Sequence, residues 1–210
     1  MSMTISPRVE GQLQRAVDVG ERIFVLLLFA AYAVRVWGSI ALEPSNILAV
    51  ISEGLVVLFI LIRRDATAFT LRPFDWAIAL GGTALALFAR PGGHPFLPTF
   101  VGTACMLAGL LLAITSKLTL RRSFGVAAAN RGIVRAGPYN LVRHPMYAGY
   151  ILVYVGFLLN NPLWWNLALY VATVILIVAR ALAEERVLVR DPGYAEFMSR
   201  VRHRLAPGLF

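Results

Sequence analysis

The chain has 210 residues, 59% of them hydrophobic and 15% charged, with a formal net charge of +9. Its mean hydropathy of +0.71 excludes an ordinary soluble domain, because so short a chain has too little interior to hide that much apolar surface. The basic surplus falls between long apolar runs, so it is read as a topology and lipid-headgroup signal, and nucleic-acid binding is excluded.

Residues 1–22 are polar, and Leu13, Val17 and Ile23 among charged neighbours suit a short interfacial helix. Apolar runs follow at 23–42, 47–62, 74–89 and 97–114. Arg35 falls near the far interface of the first run, where a long side chain snorkels to water. Glu53 lies within the second run and needs a partner or a proton at that depth; a hydrogen bond to a neighbouring helix is expected. Asp75 opens the third run and fits a helix N-terminus. Pro91, Gly92, Gly93, Pro95 and Pro98 predict a compact turn, with His94 solvated in it. Gly102 and Gly109, seven apart on the fourth run, share a face and permit close helix contact. The single cysteine, Cys105, lies inside that run, which excludes an intramolecular disulfide and a thiolate metal site. The three histidines, His94, His144 and His203, have no metal-ligand spacing, so no metal is expected.

Residues 115–146 form the longest polar connection and carry Lys117, Arg121, Arg122, Arg131, Arg135 and Arg143. A fifth apolar run, 147–159, is shorter than the roughly twenty residues of an upright span. Asn160, Asn161 and Pro162 signal a turn, and a sixth run, 163–182, is full length. The two runs predict a tight helical hairpin. Residues 183–210 form a charged tail whose helical potential breaks at Asp191, Pro192 and Gly193. The whole predicts an all-α, polytopic helical membrane protein with five to six apolar helices and a cytoplasmic cofactor pocket. Three parts are expected: an N-terminal interfacial segment at 1–22, a four-span region at 23–116 and a C-terminal core at 117–210. Basic residues concentrate in the N-terminus, at 63–73, at 115–146 and in the tail, which places both termini in the cytoplasm. The preference for arginine over lysine suggests a bacterial source, hence a bacterial inner membrane.

The chemistry concentrates in residues 137–149, GPYNLVRHPMYAG, read with Arg180, Glu184 and Glu185. A hairpin that returns the chain to the surface it left would bring Arg143, His144, Tyr147, Arg180 and Glu184 together. Pro138 and Pro145 restrict their neighbours, Asn140 favours a turn, and Gly137 and Gly149 permit close backbone approach. Tyr139 and Tyr147 offer flat faces and hydroxyls to a heteroaromatic ring. Arg180 and Glu184, four apart, share a helix face. Glu185 points about 100° away, toward solvent or a loop. The plain alternatives are a simple helix ion pair for Arg180 with Glu184, and a lipid contact for Arg143.

These residues resemble the isoprenylcysteine carboxyl methyltransferase family and its relative, phosphatidylethanolamine N-methyltransferase, over roughly residues 120–207. The markers are GPYNLVRHPMYAG, Asn161 with Pro162, Arg180 with Glu184 and Glu185, Tyr194, Phe197, and a closing Arg204 with Pro207. The chain departs from the family at Arg131 and Gly132, where eukaryotic members carry His-Thr. It departs again at Asp191, Pro192 and Gly193, which replace Phe-Gly. The resemblance implies an integral membrane enzyme using S-adenosylmethionine. Cofactor contacts would fall at Arg131, Gly132, Ile133, Val134, Tyr139, His144, Pro145, Met146, Tyr147 and Glu184, with His144 toward the methionyl carboxylate or a backbone group. Arg180 would be the catalytic residue facing the substrate carboxylate, with Arg143 also binding substrate. The acceptor would be a prenylcysteine-like or other lipophilic molecule reached through the membrane lipids. Two alternatives stand: N-methylation of a phospholipid amine, with Glu185 or His144 as base, and a membrane reductase like the sterol reductases.

Overall fold

The computed structural model describes residues 7–62, 68–69, 73–120, 129–130 and 133–208. Seven α-helices lie among them: α1 (Pro7–Trp37), α2 (Asn46–Ile62), α3 (Pro73–Ala86), α4 (Thr99–Leu120), α5 (Pro145–Asn160), α6 (Trp164–Leu188) and α7 (Pro192–Arg200). One short antiparallel pairing joins β1 (Ala68–Phe69) to β2 (Ala129–Asn130).

The helix boundaries differ from the apolar runs in instructive ways. α1 starts far upstream of residue 23, so the predicted interfacial helix and first span form one element. It ends at Trp37, short of 42, in turns where Ser39 Oγ donates to the Val36 carbonyl at 2.7 Å; this local bond competes with the helix ladder. α3 stops at Ala86, before Pro91. α4 runs on to Leu120 instead of ending at 114 and takes Lys117 out of the expected polar connection into its last turn. Helix propensity and neighbouring helices carry the element past the last apolar residue of the run.

α4 and α6 are long and apolar enough to cross a membrane. α2 and α5 are apolar but have 17 and 16 residues. The expectation of five to six apolar helices is thus met at spanning length by two. Their outward faces are greasy: Leu111 is 62% exposed and Ile175 61%. Such a surface suits hydrocarbon better than water.

Glycine decides the tightest helix contact. Gly102 and Gly109 on α4 face Gly156 and Gly149 on α5, so the two helices run antiparallel with backbones nearly touching. A Cβ on Gly109 would stand 2.6 Å from the Gly149 carbonyl oxygen, and one on Gly149 2.7 Å from that of Gly109. The turn at 161–163 is tight, as expected, but α5 packs chiefly on α4 and α6 chiefly on α3. The hairpin is therefore splayed, each arm having a glycine-rich partner elsewhere; on α3, Gly81 and Gly82 receive Leu176.

A buried amide network locks the end of the bundle where this turn lies. Asn166 Nδ2 donates to the Arg90 carbonyl at 2.8 Å and the Asn161 carbonyl at 2.9 Å, and its oxygen accepts from Arg90 N at 2.9 Å. Asn160 Nδ2 donates to Ser45 Oγ at 3.0 Å, and Asn161 Nδ2 to Asn46 Oδ1 at 3.2 Å. Pairing buried amides in this way avoids the cost of leaving them unsatisfied. At this end Arg35 lies over the Tyr32 and Phe88 rings, at 5.9 and 5.8 Å, and His94 is exposed. The functional residues gather at the other end.

Candidate active site

The site begins where the chain leaves its helices. Gly137 adopts φ +58°, a conformation that glycine takes without strain, and opens a 3-10 turn over Gly137–Asn140 that buries Tyr139. Pro145 starts α5; its ring presets the first helical residue and lacks a donor that the helix would not use there. The preceding stretch finds its backbone partners in the tail: Arg143 N donates to the His203 carbonyl at 2.9 Å and His144 N to that of Arg204 at 2.8 Å. Residues before α5 and after α7 are thereby tied side by side.

α5 and α6 then bring the predicted side chains together. The Tyr147 hydroxyl donates to Glu184 Oε1. Arg180 Nε stands 3.3 Å from the same oxygen, and its guanidinium carbon lies 5.2 Å from the centre of the Tyr147 ring. His144 stacks on Tyr147 at 5.6 Å with the rings 12° apart, and its Nδ1 is 3.8 Å from Glu184 Oε2. Tyr147 is therefore held by a hydrogen bond at its tip, a cation on its face and a stacked imidazole.

Glu185 is the residue that sequence reasoning undervalued. It is 6% exposed and meets three partners: His144 Nε2 at 3.2 Å, Arg204 Nε at 3.0 Å and Arg143 Nε at 3.2 Å. The Arg143 approach is an ion-pair distance without hydrogen-bond alignment. The helical offset from Glu184 pointed this face toward solvent or a loop; the tail supplies a loop contact, and the solvent expectation is corrected by burial. What the wheel could not give is that the tail covers the face and removes it from solvent. His144 consequently sits between two carboxylates.

The other predicted residues fall as follows. Arg143, His144, Tyr147, Arg180 and Glu184 converge. Tyr139 is buried near Glu184, and burial first, then that carboxylate, pushes its phenol up. Met146 belongs to the main apolar core, and Pro145 is buried at the helix start. Ile133 packs with Tyr139, Tyr194 and Phe197, which moors α7, and Val134 is half-buried. Arg131 and Gly132 lie outside the described residues.

The donor set suits a ligand bearing hydroxyl, amino and carboxylate groups. Glu184 accepts hydrogen bonds, and Tyr139 and Tyr147 offer aromatic faces. Among the described residues, the hydroxyl of buried Tyr194 has no hydrogen-bond partner, nor has Arg143 Nε. Burial, with Glu185 next in effect, pushes the Tyr194 phenol up, so it acts as a donor. Buried polar atoms without partners mark places where a ligand or water completes the bonding.

Fold and site define a helical protein with two helices long and apolar enough to cross a membrane and an acid, arginine and tyrosine cluster at one end of the bundle. Residues 97–192 match the sequence profile of the phospholipid methyltransferase family, which includes the isoprenylcysteine carboxyl methyltransferases. The matched stretch is just under half of the chain. It runs from α4 to the start of α7 and contains Arg143, His144, Tyr147, Arg180, Glu184 and Glu185, while Tyr194 and Arg204 lie beyond it. Over this stretch the chain is similar to phospholipid methyltransferases. No curated protein matches the chain.

Proposed function

We propose that the chain is an integral membrane methyltransferase that uses S-adenosylmethionine to methylate a carboxylate on a prenylcysteine-like or other lipophilic acceptor. The observation that carries this reading is the convergence of Tyr147 and Glu184, from the two arms of the splayed hairpin, with Arg180 and His144 on either side. In this reading the cluster and both termini face the cytoplasm of a bacterial inner membrane, and the apolar helices lie in the bilayer.

When bound, the cofactor supplies an electrophilic methyl group on a sulfonium. Glu184 would accept hydrogen bonds from its hydroxyl or amino groups, and Tyr139, His144 and Tyr147 would line it. Residues 133–134 and 145–146 would frame it through backbone and packing. Arg180 would orient the acceptor carboxylate and exclude misaligned approaches, since such a displacement depends chiefly on alignment. A carboxylate is ionised at neutral pH, with a reference pKa of about 4, and needs no general base. This matters because the strongest carboxylate candidate for a base, Glu185, already meets three cationic or imidazole groups. Arg143, tied to Glu185 and to the tail, would contribute positive potential to the acceptor side.

The second reading, methylation of a phospholipid amine, is favoured by the description of the matched family. The reductase reading is set aside because that family is one of methyltransferases. One experiment separates them. The purified full chain is titrated by calorimetry with S-adenosylhomocysteine and with reduced nicotinamide dinucleotide, then incubated with methyl-labelled cofactor and lipid extract. Binding of the first ligand alone, with label that base releases as methanol, supports the carboxyl ester; base-stable label indicates the amine. No binding of S-adenosylhomocysteine refutes the reading.

A further inference from the structure

Lys117 is fully buried in the last turn of α4, and its ammonium has no hydrogen-bond partner among the described residues. Its Nζ stands 4.9 Å from the centre of the Tyr150 ring and 5.9 Å from that of Phe59. Tyr150 is buried as well, and its hydroxyl also has no hydrogen-bond partner among the described residues. Its ring lies 6.3 Å from Tyr147, the residue that reaches Glu184. The two orphaned donors therefore sit about one helical turn deeper along α5 than the cluster described above.

Glu53 on α2 faces the same region and accepts from the Tyr154 hydroxyl at 3.5 Å. It lies within electrostatic reach of Lys117 but makes no hydrogen bond to it. Aromatic faces recover part of what an ammonium loses on leaving water. They do not satisfy its three N–H donors, and an intramembrane charge left in that condition is costly. Arg180 differs: its guanidinium already engages Glu184 and the Tyr147 ring. Lys117 is the buried amine among the described residues whose nitrogen makes no hydrogen bond.

We propose that Lys117, with the Tyr150 hydroxyl beside it, is an acceptor-binding subsite that takes an anionic oxygen group on the polar end of a lipophilic acceptor. The proposal rests on the methyltransferase reading for what happens to that acceptor. It adds a second basic group, beside Tyr150, whose ring lies 6.3 Å from that of Tyr147.

The test uses the full chain in detergent micelles and two probes: a farnesyl thioether ending in a carboxylate, and the same thioether ending in an alcohol. Affinities for both, and for S-adenosylhomocysteine, are measured for the native sequence, Lys117→Met and Tyr150→Phe. The expected result is an acid-over-alcohol preference of about tenfold, the scale of a hydrogen bond to a charged group. Lys117→Met reduces that preference by about threefold or more, leaving the share that Arg180 carries, and Tyr150→Phe reduces it about threefold, with S-adenosylhomocysteine affinity unchanged in both. A preference undiminished in Lys117→Met, or absent from the native sequence, overturns the proposal. Should Lys117→Met fail to fold, an unchanged preference in Tyr150→Phe overturns it instead. A native protein that ignores S-adenosylhomocysteine overturns the methyltransferase reading and leaves the acid-over-alcohol comparison standing.

Discussion

His144 Nε2 and Glu185 Oε1 meet at 3.2 Å across 41 residues of chain. The contact joins the start of α5 to the end of α6. Because Arg204 Nε reaches the other Glu185 oxygen at 3.0 Å, it also carries the tail into the site. Glu185 is thus the keystone of the cluster, and Glu184 beside it faces Tyr147 and Arg180.

Replacing Glu185 by Ala leaves Arg143, His144 and Arg204 facing a buried gap. Removing one member of a buried charge network typically costs about 3 kcal/mol or more. We expect a loss of that order in denaturant or thermal unfolding in detergent. Faster tryptic cleavage at Arg200, Arg202 and Arg204 should accompany it as the tail loosens.

Glu184→Gln and His144→Ala are expected to weaken S-adenosylhomocysteine binding at least tenfold by calorimetry. Each removes an ionic or aromatic contact from the side assigned to the cofactor. If both variants bind like the native chain, the site is misassigned.

Arg180→Ala should behave differently. Cofactor affinity persists while turnover falls by a hundredfold or more, since Arg180 is assigned to aligning the acceptor. Joint loss of both would move Arg180 into the cofactor pocket.

Gly109→Ala should cost about 2 kcal/mol, because the added methyl would meet the α5 backbone, which cannot step aside without parting the helices. Gly20→Ala is the control. Nothing lies within 4 Å of a Cβ there, and alanine is the better helix former by about 0.5–1 kcal/mol. Thermal scans of the two variants should move in opposite directions.

A pH effect follows from α7. Arg135 hydrogen-bonds Glu196 at 2.8 Å and holds its carboxyl below the usual range, with Arg200 assisting. A carboxyl depressed by folding contributes stability above its unfolded pKa and loses it as pH falls through the folded one. Since Glu196 is exposed to solvent, the effect on stability is small. The sharper readout is its titration by NMR, which Arg135→Ala should move upward toward the ordinary glutamate value.

Hydrophobic run length and basic-residue placement made the helical membrane class legible from the chain alone. So did the meeting of the 137–149 segment with Arg180 and Glu184, because a turn at 160–162 leaves a returning helix few places to end. The spacing of Gly102 and Gly109 announced a close helix contact, though not with which helix. The sequence could not reveal that α6 prefers α3, that Glu185 is buried by the tail, or that Lys117 is drawn into α4 beside Tyr150. Those outcomes depend on which faces of different helices pack together and which become sealed from water. A pattern along one helix records its own periodicity; the desolvation of a charge is set by neighbours that only the folded chain assembles.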